Sequence, residues 1–344
     1  MVRSCVAGAT AMQGAQDMTT SGSLSRGTTN EFDQSLFSST LVAGGMAAGF
    51  VVPGLAEALR PLLLPSLFVI MVASLFPSRK AIGSTLLSWD KRAVAAVTWL
   101  QLWLPAAVLA ASLILQVPQN ITVFVLFSAC CSTVFASPTI ARLLDLDQVL
   151  ATRIMILSTI AAPFSIAVFM GPIVDGVDML SVGVFAERVV LFLVVPMALV
   201  VLLSIVERPK LAPVYRSADK ASQLTGMIAL SVFAIALMDD VPQKFAEDLP
   251  LMGAMFLGVV GVNAGMAVVS IYVFNQAKFE TAFLLGLLSM MRNVGLGLAM
   301  VSSFFGAELA CYIALCQVPL MIVPLFVRLR STRAIPVRAS GKVA

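Results

Sequence analysis

The chain has 344 residues, 59% of them hydrophobic and only 12% charged, with a formal net charge of +4. Its mean hydropathy is +0.98, and a soluble domain carries about a quarter charged residues, so the composition excludes a soluble fold and points to a polytopic, all-α membrane protein. Histidine is absent, which excludes imidazole acid–base catalysis, imidazole metal ligation and His-based triads.

Residues 1–36 are polar, with the run TTSGSLSRGTTNEFDQS. No apolar stretch follows the start Met, so the reading is a flexible cytoplasmic tail and not a cleavable signal peptide. A helix needs about 20 apolar residues to cross the hydrocarbon. Pro, Gly and charged breaks then divide the chain into ten expected spans, near 38–56, 61–78, 93–115, 120–144, 149–171, 182–206, 222–240, 251–275, 279–305 and 308–328. The third carries Gln101 four residues before Pro105. The fourth, TVFVLFSACCSTVFASPTIARLL, is irregular, with Ser132, Thr133 and Ser137 beside Pro138. The eighth carries Asn263. The ninth, FLLGLLSMMRNVGLGLAM, holds Arg292, Asn293, Gly295 and Gly297. A basic cytoplasmic tail, 329–344, closes the chain.

Ten spans with both termini cytoplasmic place 18 of the 22 Lys and Arg inside, three outside (Arg60, Arg188, Lys244) and Arg292 within the bilayer. That separation obeys the positive-inside rule. Five spans followed by five of opposite orientation make an inverted repeat, about 37–171 and 182–328. The two irregular spans are each the fourth of five. Paired interrupted helices at matching positions point to a binding site at the membrane midplane, with Pro138 and Gly295 as the expected helix breaks. The five cysteines (Cys5, Cys130, Cys131, Cys311, Cys316) show no metal-ligand spacing and are expected to be reduced and packed. No nucleophile–base pair, metal site or cofactor motif appears, so no enzyme activity, metal or cofactor is expected.

The stretch SACCSTVFASPTIARLLDLDQVLATRIMILSTIAAPF (128–164) resembles the fourth and fifth helices of the bile acid:sodium symporter family. Cys130, Cys131, Ala136, Ser137 and the run Ser158 to Pro163 keep step with that family's pattern, as do Met291, Asn293, Gly295 and Leu296 with its ninth helix. The resemblance implies a ten-helix inverted repeat with a panel domain and a core domain, whose broken helices 4 and 9 cross. It also implies organic-anion transport driven by two sodium ions near the crossing. The departures fall on the sodium chemistry. Pro138 stands where the family has Asn, Ala151 and Met155 replace two hydroxyl ligands, Leu288 replaces the shared Glu, and Arg292 replaces a Gln. Gln101 resembles a Gln that precedes a Pro in the family's third helix. A fixed guanidinium a few ångströms away disfavours Na⁺ by roughly several kcal/mol. The expectation is therefore transport without sodium, with the second sodium site absent.

An Arg at the centre of a span costs about 2.5–3.5 kcal/mol on insertion scales, and no acidic residue sits at mid-depth in these spans. Three readings of Arg292 stand side by side. It substitutes for a sodium ion and holds the crossing electrostatically. It binds the substrate carboxylate or sulfonate through its planar fork. Or it caps exposed carbonyls of the broken helices. The candidate substrate-binding set is Arg292, Asn293, Ser132, Thr133, Ser137, Gln101 and Asn263. The function expected is secondary transport of a small organic anion in a bacterial inner membrane, by a monomer or homodimer in lipid, with no nucleic-acid partner. The alternatives are a metalloid exporter of the same fold, using Cys130 or Cys131, and a non-transporting membrane receptor or scaffold.

Overall fold

The computed structural model describes residues 40–79, 81, 82, 85, 90–172, 182–206, 212–301, 309 and 311–317. The expected tails 1–36 and 329–344, and most of the tenth span, lie outside the described residues. Among the described residues nearly everything is helical and no strand forms. The first helices are α1 (Thr40–Val51), α2 (Gly54–Ser78) and α3 (Lys91–Ile114). The two halves of the fourth expected span are α4 (Gln119–Cys130) and α5 (Ser137–Leu143). There follow α6 (Gln148–Met170), α7 (Gly183–Ile205), α8 (Ala212–Ala236), α9 (Val241–Glu247) and α10 (Leu249–Val273). The ninth expected span is α11 (Phe279–Met290) and α12 (Val294–Val301).

Among the described residues, six helices are long and apolar enough to cross a membrane: α2, α3, α6, α7, α10 and the stretch Ser217–Glu247 that joins α8 to α9. Large apolar side chains such as Trp103, Phe164, Ile205 and Leu257 are exposed on them, as on surfaces that lipid covers. The protein is therefore an α-helical membrane protein. The first boundary differs from the expected 57–60. The chain leaves helical geometry at Val52, whose φ and ψ are −122° and 80°, because the residue before Pro53 is pushed toward extended backbone. Pro53 then opens a new helix, where its missing N–H costs nothing.

Among the described residues, two helices contain a π turn, at Trp99–Trp103 in α3 and Val190–Val194 in α7. Each ends two residues before a proline, Pro105 and Pro196. A proline inside a helix removes an N–H and clashes with the carbonyl four residues back, and a widened turn just before it absorbs that clash.

The helices pack in two groups. In the first, α2 lies against α8 and α7, and α1 runs along α8 closely enough that a Cβ on Gly49 would sit 2.7 Å from the Ile235 carbonyl oxygen. In the second, α3, α4, α5 and α6 pack together, and α10 packs on α11 and α4. One end of the molecule is tied by Arg60 Nη1 to Asp239 at 2.6 Å. At the opposite end Arg79 pairs with Asp219, and Arg153 Nη1 meets Asp90 at 2.7 Å.

Candidate functional site

The two irregular spans break at the same place in space. α4 stops at Cys131, whose ψ of 155° turns the chain extended. Helix resumes at Ser137 with Pro138 in its first turn, a position that has no intrahelical use for the missing N–H. α11 stops at Met291, and Asn293 caps α12 by accepting the Leu296 N–H on Oδ1 at 3.1 Å. The extended pieces then pair with each other. Thr133 and Arg292 form a one-rung antiparallel bridge, in which Asn293 N–H donates to the Ser132 carbonyl at 2.7 Å and Val134 N–H donates to the Met291 carbonyl at 3.0 Å. Non-helical backbone at membrane depth survives only where its polar groups find partners inside the protein, and here each break supplies the other's.

Arg292 lies within this knot and is only 2% exposed. Its Nε donates to the Ser289 carbonyl at 2.9 Å, its Nη1 to the Cys131 carbonyl at 3.0 Å and its Nη2 to the Leu100 carbonyl at 3.2 Å. The first two acceptors are at the C-terminal ends of α11 and α4, where the helix dipole is negative and carbonyls lack intrahelical donors. The third comes from the π turn of α3, and Gln101 in the same turn donates Nε2 to the Cys131 carbonyl at 3.1 Å. Among the described residues no carboxylate pairs with Arg292; carbonyl dipoles from three helices stabilise its charge.

Of the expected set, the crossing gathers Arg292, Asn293, Ser132, Thr133, Ser137 and Gln101. Thr133 is braced by α6, its Oγ1 3.2 Å from Ser158 Oγ and its N–H 3.3 Å from the same oxygen. Ser137 Oγ donates to the Val134 carbonyl at 2.5 Å. Ser132 Oγ and Gln101 Oε1 are buried and have no hydrogen-bond partner among the described residues. Asn263 stands apart: it is buried on α10, its Oδ1 is also without a partner, and it makes no hydrogen bond to the crossing. Asn293 is half-buried and Ala136 exposed, whereas Ser132, Thr133, Ser137 and Arg292 are buried. Among the described residues, Asn293 and Ala136 thus form an accessible part of the crossing, and the guanidinium is enclosed.

No family model and no curated protein matches the chain.

Gly295 needs a correction as a helix break. The break is Met291–Asn293, and Gly295 is already helical. Its small size serves packing, since a Cβ there would lie 3.4 Å from Leu67 Cδ2 and 3.8 Å from Phe233 Cζ. Gly297 is tighter still, with Cys131 Sγ 2.5 Å and Phe127 Cζ 2.7 Å from the position of an added Cβ. Sequence reasoning missed the Leu100 carbonyl, the Ser289 carbonyl and Ser158. Backbone acceptors carry no residue-type signal. The π turn had one, a proline two residues beyond it.

The chemistry open to the site follows from its polarity. Negative helix ends face Arg292, and the N-terminal end of α12, capped through its Leu296 N–H, begins at the half-buried Asn293. A positive helix end beside an amide donor suits an anion. A cation at the Arg292 position would meet a guanidinium.

Proposed function

We propose that the chain is a ten-span secondary carrier for a small organic anion, working without sodium, with Arg292 in the place of a resident cation. The observation that carries this reading is the set of three carbonyls, Ser289, Cys131 and Leu100, converging on one guanidinium. Carbonyls gathered from helix ends are the ligands a hard cation takes, and a covalently attached, always-charged donor fills that role permanently. The anion is held near Asn293 and the start of α12. The two helix groups act as panel (α1, α2, α7, α8) and core (α3 to α6, α10 to α12). In a bacterial inner membrane with both termini cytoplasmic, the Asp90 end faces the cytoplasm and the Asp239 end faces outward. The paired breaks in α4–α5 and α11–α12, and the antiparallel rung between them, support the inverted 5+5 repeat. Of the three roles open to Arg292, its bonding supports sodium substitution and carbonyl capping, which here are one arrangement. Direct substrate binding requires the guanidinium to become exposed in another conformation.

The test is reconstituted uptake of a panel of small carboxylates and sulfonates in proteoliposomes, with Na⁺ replaced by K⁺. Equal flux in the two salts for at least one anion is expected, and strong Na⁺ dependence would sink the reading. No flux for any anion would favour a receptor or scaffold, and an arsenite-sensitivity phenotype would favour a metalloid exporter.

A further inference from the structure

The second halves of the two broken spans, α12 of the ninth and α5 of the fourth, differ sharply in their surroundings. All eight residues of α12 are buried. Among the described residues, the extensive contacts between the two helix groups all run through α12, which packs on α2, on the first turns of α7 and on that helix's π turn, where Phe192 and Leu193 are buried. Its counterpart α5 packs chiefly on α6 within its own group, and Ala136 just before it is exposed. Among the described residues, α12 is thus the helix that joins the two groups, on the Asp239 side of the crossing.

A polar contact between described residues crosses this junction. Arg188 on α7 donates Nη1 to the Ala299 carbonyl near the end of α12 at 3.1 Å, half-buried. Beside it stand apolar contacts: Leu67 and Phe233 against Gly295, and Phe192 and Leu193 of the π turn. Apolar faces surrounded by lipid gain little from association, so packing and interhelical hydrogen bonds decide which surfaces stay together. A charged donor to a carbonyl is among the stronger bonds of that kind.

We propose that Arg188 is the latch of the Asp239 end: its bond to the Ala299 carbonyl holds α12 on α7, and this end opens only when that bond is broken. The proposal rests on the carrier reading, since a carrier has to open both ends in turn. It goes beyond it in naming the contact that sets the balance between the two. Arg188 is a positioning residue in this account and does not touch the anion.

The test is hydrogen–deuterium exchange of the full chain in lipid nanodiscs, comparing wild type with Arg188→Ala, Arg188→Gln and Arg188→Lys. Exchange through opening scales with the open population, and a hydrogen bond to a charged group is worth about tenfold or more in such an equilibrium. Amides of α12 are expected to exchange about tenfold faster in Arg188→Ala, less so in Arg188→Gln, and near the wild-type rate in Arg188→Lys, while those of α8 and α10 stay unchanged. Unchanged α12 exchange in Arg188→Ala, or an equal rise in α8, α10 and α12, overturns the latch. Failure of all three variants to fold also overturns it, because a latch between two open states is not needed for folding. No substrate is required for this readout. Absence of flux with α12 responding as expected rejects the carrier alone, and intact flux with unresponsive α12 rejects the latch alone.

Discussion

Arg292 donates to the carbonyl oxygen of Cys131 at 3.0 Å, across 161 residues of sequence. This bond ties the negative end of α4 to a charge that grows out of the break between α11 and α12. With the Thr133–Arg292 bridge beside it, it makes the two broken helices one structural unit.

Removing the guanidinium leaves the Ser289 and Leu100 carbonyls buried without it, and Cys131 with only Gln101. An unsatisfied buried acceptor costs about 1–3 kcal/mol. Arg292→Met is therefore expected to destabilise by about 3 kcal/mol or more, with Arg292→Lys between it and wild type, since one ammonium cannot reach three carbonyls in a planar fork. Thermal unfolding in detergent reads this directly. Wild-type stability in Arg292→Met would mean the three bonds contribute nothing.

Gly297→Ala places a methyl group 2.5 Å from Cys131 Sγ and 2.7 Å from Phe127 Cζ. Overpacking of this kind costs about 1–3 kcal/mol. Gly253→Ala, where nothing lies within 4 Å, is expected to be neutral or to stabilise by about 0.4–1 kcal/mol. The pair separates close helix approach from simple glycine entropy, and melting both variants side by side decides it.

Thr133 and Ser158 form a buried hydroxyl pair at 3.2 Å. Ser158→Ala and Thr133→Val each leave a polar group without its partner, at about 1–2 kcal/mol apiece. The double variant is expected to lose less than the sum, by about 1 kcal/mol. Strict additivity in a double-mutant cycle would show that α6 does not brace the crossing through this pair.

At the Asp90 end, Asp90 caps α3, accepting the Arg92 N–H at 3.0 Å and Arg153 Nη1 at 2.7 Å. Burial pushes its carboxyl up, but the Arg153 hydrogen bond, the Arg92 N–H and the two guanidinium charges outweigh it and hold the carboxyl below its ordinary range. A carboxyl lowered by folding stabilises fully above its unfolded value of about 3.9 and loses that contribution as pH falls through the folded value. Asn can still cap the helix, so Asp90→Asn isolates the ion pairs. The wild type is expected to exceed it by about 1 kcal/mol near neutral pH, the gap closing in acid. A gap that is constant from neutral to acid pH would contradict the assignment.

Much of this site was legible in the sequence, and the reasons are physical. Pro138 and the small, hydroxyl-rich run before it marked the first break, because proline and poor helix formers interrupt a span. Arg292 marked the second, because a charge at mid-span demands buried partners. The positions of Gly295 and Asn293 were harder to rank. Asn293 caps α12 through the nearby Leu296 N–H, whereas Gly295 makes room for Leu67, a neighbour distant in the chain. Asn263 read like Gln101, an amide in an apolar span; only the π turn that aims Gln101 at Cys131 separates them. The partners of Arg292 are main-chain oxygens, which every residue carries, so composition could predict a need for acceptors but not their address. The first helix boundary, expected at 57–60, lies earlier because Pro53 pushes Val52 out of helical geometry and ends α1 there.

The central claim is that Arg292 occupies the place of a resident cation. Thermal unfolding of the purified protein across matched series of NaCl and KCl tests it most directly, because a bound ion stabilises the folded state in proportion to its occupancy. The account predicts the same Tm in both salts at every concentration, and for Arg292→Gln a lower Tm in both. A wild-type Tm that climbs with Na⁺ and not with K⁺ would contradict it.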